Sequence, residues 1–262
     1  MMILQVSRNP SQPGKMASKD PVVTALEPAR KILLQQVLNE QGPGLKLNGE
    51  STILTCSSQT AETLAEWLWK NKYDMPRGIV VSGETAEHEL SPELQRGANI
   101  QVVSQVQDGS STHAFSHIDI YSQRGTSELL AGIHHGLAPN GTAIVTCMKR
   151  NPVEVIMKSV FSATGRRNSV GGRESAMENE LKSLAMQAGF ESERVKVLQE
   201  NVLVTGQALQ KLKDDVERTC DGIMGQSGDS HSWESTLDST WNREVEKAGG
   251  VLIESWLLVA KK

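Results

Sequence analysis

Few residues in this chain have types and spacings that suit chemistry. His117 and Asp119 stand two apart in an apolar, β-branched run, so strand alternation puts both side chains on one face. A His–carboxylate pair in that arrangement can serve as acid or base. The plainer reading, two satisfied structural groups near a strand start, fits the same spacing and is the one the sequence favours. His134 and His135 are adjacent, which on a helix separates them by about 100° and keeps them from serving one site. None of the six histidines lies in metal-binding register with Cys56, Cys147 or Cys220, so no metal site is expected. The three cysteines are odd in number and far apart, and read as reduced and mostly buried rather than as a disulfide framework. Walker, GxSxG and GxGxxG motifs are absent from the sequence.

The aromatic and basic residues divide in a similar way. Trp67 and Trp69 sit in a segment with an apolar helix face that should bury at least one of them. Trp233 and Trp241 belong to a late polar stretch, where they could contact an apolar ligand or a partner chain. Arg166, Arg167 and Arg173 make a short basic loop, more simply read as a solvated face. The chain has 262 residues with 27 Lys and Arg against 31 Asp and Glu, a formal net charge of −4. That balance supplies no positive field for nucleic acid or an anionic membrane, so neither is expected as a partner. The most apolar run, 250–260, is broken by Glu254 and falls short of the ~20 residues of a membrane span. The first residues lack the apolar core of a secretory signal, and a cytoplasmic protein is expected.

Residues 1–20 are rich in Ser, Pro, Gln and Lys without periodicity and read as a flexible tail. Residues 21–262 read as one domain. A helix is predicted over 22–39, closed by the Gly-Pro-Gly at 42–44. Apolar runs at 51–56, 78–82, 100–104, 116–121 and 141–148 then alternate with helical segments at 61–71, 86–94 and 127–137. Strands alternating with helices of about ten residues imply βαβ units and a parallel sheet covered on both faces, an α/β fold. Beyond these come a helix at 174–188, a strand at 194–204, a helical excursion across 206–249 with pieces at 206–224 and 241–248, and a last strand at 250–260. The closing pair of strands suggests an antiparallel edge.

This order resembles the class I S-adenosylmethionine-dependent methyltransferase superfamily, in its small-molecule, fungal-like branch. The resemblance covers about residues 25–262. It is carried by residues 130–148 (LAGIHHGLAPNGTAIVTCM), a helix, a turn at Leu137-Ala138-Pro139-Asn140-Gly141 and a fifth strand. Ala188-Gly189-Phe190 before a strand and the terminal Trp256-Leu257-Leu258-Val259-Ala260-Lys261-Lys262 add to it. The implied fold is a Rossmann-like, mostly parallel seven-stranded sheet with an antiparallel C-terminal hairpin. The implied donor is S-adenosylmethionine (SAM), bound beyond the carboxyl ends of the first strands.

The donor motifs depart from the family's pattern. Thr55 stands where the family has an acid, and Ser57, Gln59 and Ala61 stand for its glycines. A shifted alignment would instead let Ser57, Ser58, Gln59 and Thr60 offer hydrogen bonds. Val80 or Val81 replaces the acid that holds the ribose; Glu84 reaches it only if the loop bends back. Asp108 is displaced from the adenine position but within reach. Losing one charge-assisted hydrogen bond of about 1.5–3 kcal/mol already weakens binding tenfold or more. The resemblance further implies that Tyr121, Ser122, Gln123 and Arg124, and after the next strand Lys149, Arg150 and Asn151, line the substrate mouth. There Arg124 and Arg150 could hold a carboxylate or polarise a carbonyl. Catalytic candidates are Tyr121, His117 and Arg124, and the excursion with Trp233 and Trp241 is expected to cover the pocket. Three functional readings stay open: methyl transfer from SAM to a small molecule, a donor-independent cyclisation or rearrangement of an apolar metabolite, and a non-catalytic partner protein. A homodimer is compatible with each.

Overall fold

The computed structural model describes residues 21–82, 96–118, 123–165, 178–224 and 233–262. Helix α1, Pro21–Gln41, starts at a proline, which suits a first helical turn because no N–H is needed there. It buries Leu26, Ala29, Leu33, Val37 and Leu38 at helical intervals. Strand β1 (Thr52–Thr55) follows, then helix α2 (Ser58–Lys70), β2 (Gly78–Ser82), β3 (Ile100–Val103) and β4 (Ser111–Ile118). Helix α3 (Gln123–Gly136) leads directly into β5 (Leu137–Arg150), and α4 (Pro152–Ala163) and α5 (Glu178–Gln187) precede β6 (Val195–Val204). The chain closes with α6 (Gly206–Met224), α7 (Trp233–Ala248) and β7 (Val251–Lys261).

The seven described strands form one sheet in the order β3-β2-β1-β4-β5-β7-β6. The first five are parallel, β7 runs antiparallel beside β5, and β6 pairs antiparallel with β7. One sheet face carries Ile53, Phe115, Ile144 and Leu257 against α1 and α2, and extends through Ile253 to α4, α6 and α7. The opposite face carries Leu54, Ala114, Ile118, Val145 and Leu258 against α3 and α5. Strand order reverses between β1 and β4, so the crevice beyond their carboxyl ends is where this architecture places a ligand. Among the described residues no helix is long and apolar enough to cross a membrane.

Several boundaries differ from expectation. Strand β4 begins at Ser111, five residues before the predicted start, because Ser111 pairs with β5 and His113 to Phe115 pair with both β1 and β5. Thr112 makes this tolerable by exchanging hydrogen bonds with the backbone of Thr52. Helix α4 was not predicted at all, yet its signals are local: Asn151 caps it by accepting from the Val153 N–H at 3.0 Å, and Pro152 occupies the first turn. The Pro139-Asn140-Gly141 turn lies inside β5, as a bulge in which Leu137 to Thr142 spans what Ser111 to His113 spans on β4. Asn140 supplies the positive φ of 65° there. Helix α7 starts at Trp233 rather than near Trp241. The tail at 1–20, the predicted helix at 86–94 and the basic loop at 166–173 lie outside the described residues.

Candidate functional site

The carboxyl edge of β1, β4 and β5 is lined by short polar side chains. Thr55 ends β1 fully buried, and its hydroxyl is spent locally, donating to the Ser57 carbonyl at 3.2 Å and accepting from the Ser57 N–H at 3.3 Å. Only Cys56 and Ser57 separate β1 from α2. The Ser57 hydroxyl oxygen caps the helix, accepting from the Thr60 N–H at 3.1 Å, and lies 2.8 Å from the Thr60 hydroxyl. Ala61 is buried one turn into the helix, and the Gln59 carbonyl accepts the Thr63 hydroxyl. Cys56 is half-buried on the opposite face; burial pushes its thiol up, opposed by a hydrogen bond with Ser116.

On β4 and β5, His117 lies opposite Thr146, with Nδ1 2.8 Å from the threonine Oγ1. Thr146 also reaches the Ser116 carbonyl at 3.5 Å. His113 lies on the same strand but about 13 Å of rise away, and bonds the Leu45 carbonyl and Thr112. Burial holds the His113 pKa below its ordinary value. Among the described residues no group of three or more His, Cys, Asp or Glu could hold a metal ion.

Several expected site residues sit elsewhere. Asp108 lies at the amino edge of the sheet, exposed, 3.5 Å from both Lys262 Nζ and His135 Nδ1. A strand of eight residues, roughly 23 Å of rise, separates the two edges, so Asp108 does not reach an adenine bound at the carboxyl ends. Trp241 and Trp233 are buried in the core between α4, α6 and α7, so they fill the interior rather than cover a mouth. Arg150 Nη2 lies 2.6 Å from Glu244 Oε2, a buried carboxylate that Lys247 also bonds. Burial pushes the Glu244 pKa up, but the Lys247 hydrogen bond and the Arg150 and Lys247 charges outweigh it and hold the group below the usual range. Lys149 lies 3.9 Å from Glu254 and 5.2 Å over the Trp256 ring. Asn151 is spent as the α4 cap. Glu84, Asp119, Tyr121 and Ser122 lie outside the described residues, and of the Gln123 and Arg124 side chains nothing is described. On α2, Trp67 is buried and bonds Asn39, while Trp69 is 72% exposed.

A SAM molecule in this crevice needs an acid near the end of β1, a loop that admits its carboxylate and sulfonium, and an acid at the end of β2 for the ribose. The described residues do not fit it. Thr55 is buried and self-bonded, Ser57 occupies the helix N-terminus, and Val81 is fully buried where the ribose acid would stand.

No family model and no curated protein matches the sequence. Solved structures do match in shape. The [4+2]-cyclase SpnF is 14% identical over 89% of this chain and 81% of its own, with a TM-score of 0.50. The YcgJ protein from Bacillus subtilis is 10% identical over 87% and 98%, also at 0.50. Phosphoethanolamine N-methyltransferase 2 from Haemonchus contortus, in complex with phosphomonomethylethanolamine and S-adenosylhomocysteine, is 15% identical over 91% of this chain and 59% of its own, at 0.48. Sheet order, strand directions and the two likenesses at a TM-score of 0.50 together establish that this chain is built on the class I SAM-dependent methyltransferase fold.

Proposed function

We propose that this protein binds a small molecule at the carboxyl edge of its sheet and acts on it without SAM. The carrying observation is the β1–α2 turn, where Thr55 and Ser57 satisfy each other and the first turn of α2. A donor would have to displace those hydrogen bonds and would find no carboxylate on Thr55 or Val81 to replace them, a deficit of about 1.5–3 kcal/mol for each charge-assisted bond forgone. The likeness to a [4+2]-cyclase supports the reading, because it associates this fold with a reaction other than methyl transfer.

On this reading His117 is the group that handles a proton. Thr146 holds the ring, with its hydroxyl oxygen 2.8 Å from Nδ1, and an imidazole placed at this edge can pass a proton to and from a weakly acidic carbon or hydroxyl while the skeleton rearranges. Ser116 and Cys56, hydrogen-bonded to each other, lie on the opposite face of the same edge. Such chemistry draws on shape, water exclusion and one or two placed polar groups.

Isothermal titration of the full chain with SAM and with S-adenosylhomocysteine tests the proposal. No heat of binding is expected from either ligand up to about 1 mM, the weak end of the affinity scale. Micromolar binding of either one would overturn donor independence and return the pocket to methyl transfer.

A further inference from the structure

Strand β6 is the outermost strand of the sheet, and among the described residues nothing pairs with its outer side. Its ten residues, Val195–Val204, pair with β7 without a register shift and contain no proline. A long regular edge of that kind is a template for another strand, since soluble proteins usually interrupt such edges. It also carries two of the exposed large apolar side chains, Leu198 at 41% and Leu203 at 47%.

The side chains specify which strand would fit. Lys196, Leu198, Glu200 and Val202 share the face on which α1 packs, since Val202 joins that core and Val195 and Val197 join the other. A second copy related by a two-fold axis perpendicular to the sheet keeps each face on its own side, so even-numbered residues must meet even-numbered ones. Centring the axis on Glu200 would set two glutamates against each other, beside Glu40 of each α1. Centring it on Leu198 sets Leu198 against its own copy and Lys196 against Glu200 twice, Val197 facing Gln199 on the other side. The carboxyl of Glu200 already meets the carboxyl of Glu40 at the end of α1, and burial together with that neighbour pushes its pKa up. A lysine delivered from outside would offset this like-charge contact.

We propose that a second copy of this chain pairs with the first through β6, antiparallel, about a two-fold axis centred on Leu198. The two sheets then continue into one, and each Lys196 of one copy meets Glu200 of the other. This does not depend on the reaction assigned to the carboxyl edge.

A charge-swap series read by sedimentation equilibrium tests the register. The natural chain is expected to dimerise below roughly 100 µM, and Lys196→Glu and Glu200→Lys each to weaken the dimer about tenfold or more, since each spoils two symmetric cross-strand pairs. Lys196→Glu combined with Glu200→Lys restores opposite charges across the axis and is expected to recover the dimer to within about threefold. Circular dichroism checks that all four proteins are equally folded. A natural chain that stays monomeric at that concentration, single variants that leave the dimer intact, or a double variant no better than the singles would each overturn the proposal.

Discussion

The two edges of the sheet are built by different means. At the amino edge the backbone sets the geometry: the Asn140 N–H donates to the Lys262 carbonyl at 2.8 Å, the Lys262 N–H to the Gly141 carbonyl at 3.0 Å, and the Gly109 N–H to the His135 carbonyl at 3.1 Å. A Cβ on Gly141 would stand 2.8 Å from the Ala138 carbonyl oxygen, and one on Gly136 2.7 Å from Val106. At the carboxyl edge side chains are tied down locally: the Thr55 hydroxyl by the Ser57 backbone, Ser57 by Thr60, His117 by Thr146 and Arg150 by Glu244. The first set is made mainly by backbone groups, the second by side chains.

The largest effect expected from breaking the carboxyl-edge contacts is at Glu244. Its carboxylate is buried and holds both Arg150 and Lys247. Glu244→Ala leaves Arg150 without its partner at a half-buried site and is expected to cost about 2–3 kcal/mol in a urea unfolding experiment. Because the folded pKa lies below the ordinary 4.5, the stabilisation is present above that value and is lost as pH falls through the folded pKa. The natural chain should therefore lose stability more steeply below about pH 4.5 than Glu244→Gln, which has no proton to take up. A parallel acid limb in the two proteins would show that the charge contributes nothing to holding β5 against α7.

Next in size is a change at the amino edge. Gly141→Ala brings a methyl against the Ala138 carbonyl, with Leu137 and the Thr112 carbonyl at 3.1 Å closing the other sides. Because two of these contacts are backbone, the bulge must shift, and a loss of about 1–3 kcal/mol is expected in the same unfolding assay. Little or no loss would mean that the bulge accommodates side chains freely and that the amino edge is as adaptable as the carboxyl one.

What could be read from the sequence follows the same division. The apolar runs of β1, β2, β3 and β7 and the helical spacing of α1, α2 and α6 announce themselves, because burial of one face leaves a periodic record. The start of β4 does not, since Ser111, Thr112 and His113 look like loop until the Thr112 hydroxyl finds Thr52 and the His113 imidazole finds Leu45. Helix α4 was legible through Asn151-Pro152 and went unread. At the site, the missing acids and glycines were visible as letters, but the local bonding of Thr55 with Ser57 was not. The pairing of Arg150 with Glu244, 94 residues apart, leaves no local trace. Nor does the burial of Trp233 and Trp241, because a tryptophan on a polar helix reads equally as core or as ligand contact until its neighbours are known.

The smallest change tests the turn on which the functional reading rests. Ser57 has a β-region backbone and an oxygen on the Thr60 N–H, so it is an N-cap in geometry as well as in type. Ser57→Ala is expected to cost about 1 kcal/mol, the usual worth of such a cap. Ser57→Asp keeps an acceptor at the same place and adds a negative charge at the positive end of α2, so it should match or exceed the natural chain by about 0.3–1 kcal/mol at low salt. The ordering Asp at or above Ser, with Ala lowest, means the helix end is already occupied from within. If instead Ala equals Ser, the cap contributes nothing, the N–H groups of α2 are available to an outside anion, and the carboxyl edge is more open to a donor than its hydrogen bonds imply.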